Sequence, residues 1–383
     1  MKIALVHDWL TGMRGGEKVL EGLCELYPKA DIYTLIHIPK SVSSIIESHR
    51  IYTSFLQRFP DIERRYRWYL PLMPFAIERF DLSKYDLIIS SSHCVAKGVR
   101  KSKNSLHICF CHTPMRYIWD MYDEYFGKGR SNILVRLAMQ VIRPYLRKWD
   151  IKSSNRVDFF IANSRHVKRR IKRYYGRDSV VINPPVDVGS FKNGKLSEDF
   201  YLIVSAFAPY KRIDIAVSAF NELGLSLKII GKGQDEKRLK KMARSNIEFL
   251  GWQDDEALRD YYARCKAFIF PGEEDFGITP LEAQACGKPV IAYRGGGALE
   301  TVIDETLVPP PRWDKKRWDK RLKTGKFFYP QTKDALVKAV KEFNPSDYDP
   351  DIIREHALKF DKSVFKKKIK EFVDKSFKEF ISG

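Results

Sequence analysis

Two carboxylates eight residues apart are the strongest chemical signal in the chain. They lie in GEEDFGITPLEAQACGKPV, residues 272–290, as Glu274 and Glu282. The apolar run at 267–270 just before them fits a buried strand, and Thr279-Pro280 offers an N-cap residue followed by proline at the first helical position. Gly287 then closes a short helix. Glu274 is therefore expected on a loop and Glu282 one turn inside a helix. A first helical turn leaves backbone N–H groups unpaired and carries the positive end of the helix dipole, which suits an anion such as a pyrophosphate. Phe276, Gly277, Ile278 and Thr279 lead into that turn and count with it as candidate binding positions. Glu282 there would accept hydrogen bonds from neutral hydroxyls, and Glu274 would face whatever lies beyond the phosphates. The same letters also fit a capping box, Thr279-x-x-Glu282, in which both side chains satisfy only local backbone N–H groups.

Two further places could carry chemistry. In HDWLTGMRGGEKVLEGL the first strand runs into a helix through Gly15-Gly16, and glycines at such a turn let a phosphate approach the backbone and the helix amides; a plain tight turn would use them as well. His112, in CHTPMRYIWD, follows directly on a strand end, where an open α/β sheet places its ligands, although a histidine there can also be a packed, hydrogen-bonded residue. Cys109-x-Cys111-His112 resembles a metal-ligand spacing only superficially, because Cys109 and Cys111 fall on one face of one strand. No metal site is expected.

The elements that must position these residues alternate between strand and helix almost throughout, which favours parallel sheets in α/β domains. Strands are predicted at 3–6, 87–90, 106–111 and 159–163, and, after a break at 183–187 and a polar stretch at 192–199, at 201–205, 227–230, 247–250, 267–270 and 289–292. Two Rossmann-like halves result, joined near residue 190. At 383 residues and 44% hydrophobic, the chain is long enough for two cores. No apolar run reaches the roughly 20 residues of a membrane span. The first strand begins at once, without the pattern of a signal peptide, and six cysteines with no CxxC pair suggest neither zinc nor a disulfide framework, so a cytoplasmic protein is expected.

A net charge of +20 implies a polyanionic partner or surface. One basic segment, within residues 52–80, interleaves Arg58, Arg64, Arg65 and Arg67 with Phe55, Leu56, Phe59, Tyr66, Trp68 and Tyr69, a mixture suited to an anionic membrane interface. The other runs from 143 to 177, where Lys168, Arg169, Arg170, Lys172 and Arg173 at helical spacing read as a solvated face. A nucleic-acid-binding protein would account for the charge but leaves the two glutamates without a purpose. No nucleic-acid partner is expected.

The stretch around Glu274 and Glu282 resembles the E-x7-E motif of the retaining glycosyltransferases of family 4, which have the GT-B fold: two Rossmann-like α/β domains whose parallel sheets face each other across a cleft. The likeness runs from the first strand through ANSRHVKRRI, PPVDV and GKPVIAYRGGGALETV, and is strongest to bacterial and archaeal mannosyltransferases of surface polysaccharide synthesis. It implies an acceptor-binding domain at 1–190, a nucleotide-sugar domain at 191–350, and a C-terminal helical segment at 351–383 that packs back on the first domain. It further implies that Glu282 holds the ribose diol of the donor, that Glu274 and His112 contact the transferred sugar, and that Gly15 and Gly16 face the diphosphate. Lys211, in SAFAPYKRID, matches the phosphate-binding lysine. The family usually has an arginine five or six residues earlier, where this chain has Ala206 and Ser205; Lys232 in IGKGQDEKRLK is the candidate replacement, beside Gly233, and Gly251 and Trp252 correspond to the loop that meets the nucleobase. The implied activity is transfer of a sugar, mannose from GDP-mannose, to a glycan or polyprenyl-linked acceptor, without metal or other cofactor, at the inner face of the cell membrane. A GT-B phosphorylase or nucleotide-sugar epimerase would share the fold and the phosphate logic. Residues 304–322, with Trp313 and Trp318 among basic residues, read as an insertion that makes a surface contact.

Overall fold

A computed structural model describes residues 1–127, 133–194, 197–304 and 322–382. The expected insertion with Trp313 and Trp318 lies outside them, apart from its two end residues. The chain divides into two compact units, the first formed by Met1–Pro185 with Ser363–Gly383 and the second by Val186–Lys362.

The first unit is built on seven strands: β1 (Ile3–His7), β2 (Asp31–Thr34), β3 (Ile51–Thr53), β4 (Leu87–Ser92), β5 (Leu106–Cys111), β6 (Phe159–Ala162) and β7 (Ser179–Val181). They form one sheet in the order β3-β2-β1-β4-β5-β6-β7, every pairing parallel. Helices cover both faces of such a sheet, so its central strands are apolar on both sides. In β1, Ala4 and Val6 join the cluster containing Tyr33, Ile88 and Leu146, while Leu5 joins the one containing Leu20, Leu23 and Phe110. The strand order runs one way from β1 to β2 and the other way from β1 to β4. Loops that leave the carboxyl ends of β1 and β4 therefore diverge, which opens a crevice at this switch point.

The second unit repeats the plan with β8 (Tyr201–Val204), β9 (Leu227–Ile230), β10 (Ile247–Gly251), β11 (Ala267–Phe270), β12 (Val290–Tyr293) and β13 (Gly325–Phe328). Its order is β10-β9-β8-β11-β12-β13, again all parallel, with the switch point between β8 and β11. All nine predicted strands are present to within about two residues at their ends. Four were not anticipated: β2, β3, β7 and β13. They have three or four residues each, and β3, β7 and β13 are edge strands.

The C-terminal segment corrects one expectation. It does not act as one piece from 351: the helix Pro350–Leu358 belongs to the second unit, where Ile353 and Ala357 are buried. The helix Lys362–Ser382, all but its first residue, belongs to the first unit. Phe365, Ile369 and Val373, four residues apart, form its buried stripe in the same cluster as Leu5, Leu20 and Leu23. Gly22 makes room, since a Cβ there would lie 2.8 Å from the Phe365 ring. Lys366 closes the contact with Glu25 at 2.8 Å. The break between the two helices sits at residues 359–361, where Lys362 N–H donates to the Val186 carbonyl.

The two basic segments also differ from expectation. Residues 55–78 fold into short helical turns whose Leu56, Ile62, Tyr66, Met73 and Ile77 enter the core, with Phe55, Phe59 and Tyr69 packed against it. Only Trp68, Leu72 and Phe75 remain as exposed large apolar side chains there. In the helix Arg165–Tyr175, Lys168, Arg169, Lys172 and Arg173 are exposed as a solvated face requires, but Arg170 is buried and serves the loop after β5.

Candidate active site

In the first unit the carboxyl ends of β1, β4 and β5 converge. Asp8, fully buried after β1, accepts four backbone N–H groups: Oδ2 from His93 and Cys94 at 2.7 and 2.9 Å, and Oδ1 from Val95 and Ala96 at 2.6 and 2.7 Å. Charge-assisted bonds of this kind fix the loop after β4. The helix Gly15–Leu26 starts beside these strand ends, with Glu17 Oε2 accepting the Arg14 N–H at 3.0 Å. A Cβ on Gly16 would lie 3.4 Å from His7 Cε1 and 3.7 Å from His112 Nε2, so the glycine leaves both imidazoles against the first helical turn. Gly16 and His112, read separately from the sequence, are thus neighbours, and Gly15 opens the helix beside them.

His112 is held at several points. Its N–H donates to the Ser92 carbonyl at 2.8 Å, its carbonyl accepts from Asn163 Nδ2 at 2.9 Å, and its Nε2 lies 2.8 Å from Ser91 Oγ. The loop that follows is tied by buried or half-buried arginines. Arg170 donates to Thr113 Oγ1 and to Asp120 Oδ1, the latter at 2.5 Å, and Arg143 and Arg147 donate to the Ile118 carbonyl at 2.9 and 2.7 Å. Part of the basic run therefore shapes this loop. His7, Asp8, Ser91 and Glu17 were missed by sequence reasoning. The polar pair at the end of β1 and the serine run closing β4 were the available signals, both unusual in otherwise apolar strands.

In the second unit Lys211 ends a tight turn after β8, and its Nζ lies 2.5 Å from Glu274 Oε2, both side chains about 15% exposed. The resemblance implied a phosphate contact for Lys211 and a sugar contact for Glu274; the structure pairs the two side chains. The contact depends on Gly272, whose Cβ would fall 2.8 Å from the Lys211 carbonyl oxygen and 2.9 Å from its Cα. Arg212 turns away, toward Asp214 and Gln331 at 3.3 Å each.

The helix carrying Glu282 begins two residues earlier than predicted. It spans Ile278–Ala285 with Gly277 as N-cap at φ +88°, a conformation that a residue with a Cβ rarely adopts. Thr279 is therefore inside the first turn, and no side chain caps the helix, so the capping-box geometry is absent. Glu282 is buried and accepts the Tyr262 hydroxyl at 2.8 Å. Burial, then the Glu282 charge, pushes ionisation of that hydroxyl well above its usual range, which keeps it a donor. Behind Glu274 and Phe276 stands the glycine loop after β12, another group that sequence reasoning did not assign to the site. Gly297 N–H donates to the Glu274 carbonyl at 2.7 Å, and a Cβ on Gly296 or Gly297 would lie 2.2 Å from the Glu274 oxygen or the Phe276 Cα.

The glycines after β9 sit close against protein backbone. A Cβ on Gly231 would lie 1.9 Å from the Ser205 oxygen, and one on Gly233 within 2.6–2.8 Å of the Phe207 backbone. Their close neighbour is protein backbone, which interlocks the loops leaving β8 and β9. Gly251, at φ +71°, accepts the Gly231 N–H at 2.7 Å and lies beside the Lys232 side chain. Trp252 next to it is exposed. Among the described residues, no cluster of three or more His, Cys, Asp or Glu could hold a metal ion.

Two family models match the chain, Glycosyltransferase Family 4 over residues 13–190 and Glycosyl transferases group 1 over residues 189–357. The uncharacterized glycosyltransferase MJ1178 of Methanocaldococcus jannaschii is 31% identical over 42% of this chain and 46% of its own length. A GDP-mannose-dependent monoacylated alpha-(1-6)-phosphatidylinositol monomannoside mannosyltransferase of Corynebacterium glutamicum is 34% identical over 27% of this chain and 31% of its own. The chain thus spans less than two thirds of the length of the curated relatives it matches. Among solved structures, Anabaena HepE in complex with UDP superimposes with a TM-score of 0.67 over 98% of this chain and all of that one, at 15% identity, which is a likeness of fold. With the two models adjoining to span residues 13–357 and the two parallel-sheet units underneath them, the chain belongs to the GT-B glycosyltransferases of family 4.

Proposed function

We propose that the protein is a retaining hexosyltransferase that moves mannose from GDP-mannose to a hydroxyl of a glycan or polyprenyl-linked acceptor in surface polysaccharide synthesis, working without a metal ion or other cofactor. The observation that carries this reading is the Lys211–Glu274 pair at 2.5 Å, next to the start of the helix Ile278–Ala285. The difficult step in such a transfer is the growth of negative charge on the diphosphate as the glycosidic bond breaks. A lysine and unpaired helix amides are suited to that charge, and preorganised donors of this kind are worth most where charge develops. On this reading the arriving diphosphate takes Lys211 from Glu274. The released carboxylate then turns to the hydroxyls of the transferred sugar. Lys232 supplies the second cation in place of the missing arginine, Glu282 takes the ribose diol, and the backbone near Gly251 and Trp252 meets the base. His112, with the amides of Gly15 and Gly16, serves the sugar and diphosphate from the first unit. Mannose and GDP are favoured by the Corynebacterium relative, whose name carries both. An anionic membrane surface, engaged by the exposed basic and apolar residues of the first unit, is part of the proposal.

Thermal unfolding with GDP, UDP and ADP tests the donor, because a ligand that binds only the folded chain raises stability by RT ln(1 + [L]/Kd). GDP is expected to give the largest shift, and proton NMR of the product formed from GDP-mannose is expected to show the α-anomer of the donor retained. A larger shift with UDP would move the assignment to a uridine donor. No shift with any nucleotide would overturn the reading.

A further inference from the structure

Tyr262 is the largest fully buried side chain among the described residues, and its hydroxyl ends on the carboxylate of Glu282. It stands in the last turn of the helix Asp255–Arg264, between β10 and β11, whose start is capped by Asp254 accepting the Ala257 N–H at 2.9 Å. The ring is seated among aromatics, with Phe268 at 5.7 Å between centroids and Phe191 edge-on at 6.0 Å, in the cluster that also holds Leu281, Ala285 and Cys286. A phenylalanine would fill that seat without burying a hydroxyl, which is costly wherever a partner is lacking. Packing therefore does not account for the oxygen. What it touches does: Glu282 Oε2, at 2.8 Å.

The helix that carries Glu282 is anchored by other residues. Gln284 Nε2 donates to the Thr301 carbonyl at 2.7 Å, Gln284 Oε1 accepts from His356 Nδ1 at 2.8 Å, and Arg354 donates to the Ala285 carbonyl. With that backbone fixed, the freedom left at Glu282 lies in its own side-chain torsions, and a hydrogen bond from a ring that cannot move takes it up. Tyr262 keeps its proton, so the hydroxyl donates and the carboxylate accepts. A carboxylate has about four acceptor sites, and one donor does not exhaust them. Two hydroxyls on neighbouring carbons can both donate to one carboxylate only when its plane is set, and a side chain set beforehand spares the complex that ordering.

We propose that Tyr262 is a positioning residue that sets the plane of the Glu282 carboxylate for the vicinal diol of the donor's ribose, and so makes nucleotide affinity depend on that diol. This role rests on Glu282 being the ribose contact of the donor. Were Tyr262 a packing residue only, removing its oxygen would weaken every nucleotide alike.

Calorimetric titration of the full chain with GDP and with its dideoxy analogue, whose ribose lacks both hydroxyls of the diol, separates the two roles. Wild type is expected to bind GDP at least about tenfold more tightly than the analogue, the scale of a hydrogen bond to a charged group. Tyr262→Phe is expected to weaken GDP about tenfold and to leave the analogue within about twofold, so that the preference collapses. In Glu282→Ala the preference should be gone, and adding Tyr262→Phe should then change neither affinity by more than about twofold, because the hydroxyl acts through that carboxylate. Tyr262→para-aminophenylalanine keeps the ring and an N–H donor and is expected to keep the preference. A wild type that shows no preference, or binds neither nucleotide, would remove the ribose role of Glu282 and the proposal with it. A wild-type preference that survives Tyr262→Phe, an equal loss of both nucleotides in that variant, or a preference lost in folded Tyr262→para-aminophenylalanine would overturn the role of Tyr262 alone.

Discussion

A lysine neutralised by a glutamate is not yet a phosphate site; it becomes one when a better anion displaces the carboxylate. At the residue scale this exchange makes the Lys211–Glu274 pair the sharpest place to test the site. Removing the charge of Glu274 while keeping its shape frees Lys211, so Glu274→Gln is expected to bind nucleoside diphosphate more tightly than the wild type and yet turn over far more slowly. Lys211→Ala is expected to lose about 10²–10³ in kcat, the scale seen for preorganised transition-state donors. Calorimetric titration with GDP checks the first claim and steady-state kinetics the second. Weaker binding by Glu274→Gln would mean that the carboxylate contacts the ligand without first guarding the lysine. The glutamates, Gly15, Gly16 and His112 were singled out in the sequence by their types and spacing, and Lys211 by the family resemblance. The pairing of Lys211 with Glu274 was not legible there, nor was the bond from Tyr262 to Glu282. Both depend on contacts between segments 63 and 20 residues apart, from Lys211 to Glu274 and from Tyr262 to Glu282, which no local spacing encodes.

Elements position these residues through backbone that comes unusually close, and glycine is the device used repeatedly. Gly297 separates two kinds of glycine demand. Its φ is −73°, open to any residue, so its requirement is purely one of space: a Cβ would lie 2.2 Å from the Phe276 Cα and 2.4 Å from its carbonyl oxygen. Gly297→Ala must therefore push the loop from Glu274 to Phe276 away. The expected result is a loss of about 1–3 kcal/mol in stability and a drop in kcat that exceeds what that loss explains at the assay temperature. Gly189→Ala is the control, because the nearest atom to a Cβ there is a side-chain oxygen at 3.8 Å. Calorimetry and kinetics on both variants decide the matter, and an active Gly297→Ala enzyme would detach this loop from the site. The sequence pattern announced central strands such as β5, β9 and β11 to the residue, since four to six residues, nearly all buried, leave a clear run. It missed β3 and β7, where three residues at a sheet edge carry too little apolar signal. The helix at Ile278 began earlier than Thr279-Pro280 suggested, because Gly277 can take a positive φ and cap the turn without a side chain.

Over the whole molecule, charge and buried histidine set how the protein responds to its surroundings. His107 in β5 is held to about 4 mainly by burial, and His356 to about 3 by burial and then Lys359, each accommodated by one neighbour, Ser90 or Gln284, at 2.8 Å. Both are neutral when folded, whereas an unfolded histidine gains a proton near pH 6.5. Their contribution is thus complete above about pH 6.5 and falls as pH drops toward 4 and 3, by a few kcal/mol for each group at roughly 1.4 kcal/mol per pH unit. Since the two residues lie in different units, both units are expected to melt earlier at pH 4.5 than at pH 7, and His356→Asn is expected to flatten the change for the second unit alone. Differential scanning calorimetry across that range reads it; a melting profile independent of pH would contradict it. The net charge of +20 carries the last expectation. On the first unit Trp68 and Phe75 are 75% and 54% exposed among Arg64, Arg65 and Arg67, and the helix Ile133–Ser154 exposes Ile133, Leu134, Leu137, Val141 and Tyr145. These surfaces adjoin, because Trp149 of that helix donates to Glu78 at the end of the helix bearing Phe75, at 2.7 Å. None of the helices among the described residues is long and apolar enough to cross a bilayer, so association would be interfacial. Each basic residue near an anionic surface contributes about 1 kcal/mol, and the apolar side chains add insertion that salt does not screen. Co-sedimentation with anionic vesicles is therefore expected to weaken with added salt without vanishing, to be much lower with neutral vesicles, and to drop at least tenfold when Arg64, Arg65, Arg67 and Trp68 are all replaced by alanine, three lost charges alone amounting to about 3 kcal/mol. A wild-type protein that ignores both kinds of vesicle would leave the charge to a soluble polyanionic acceptor.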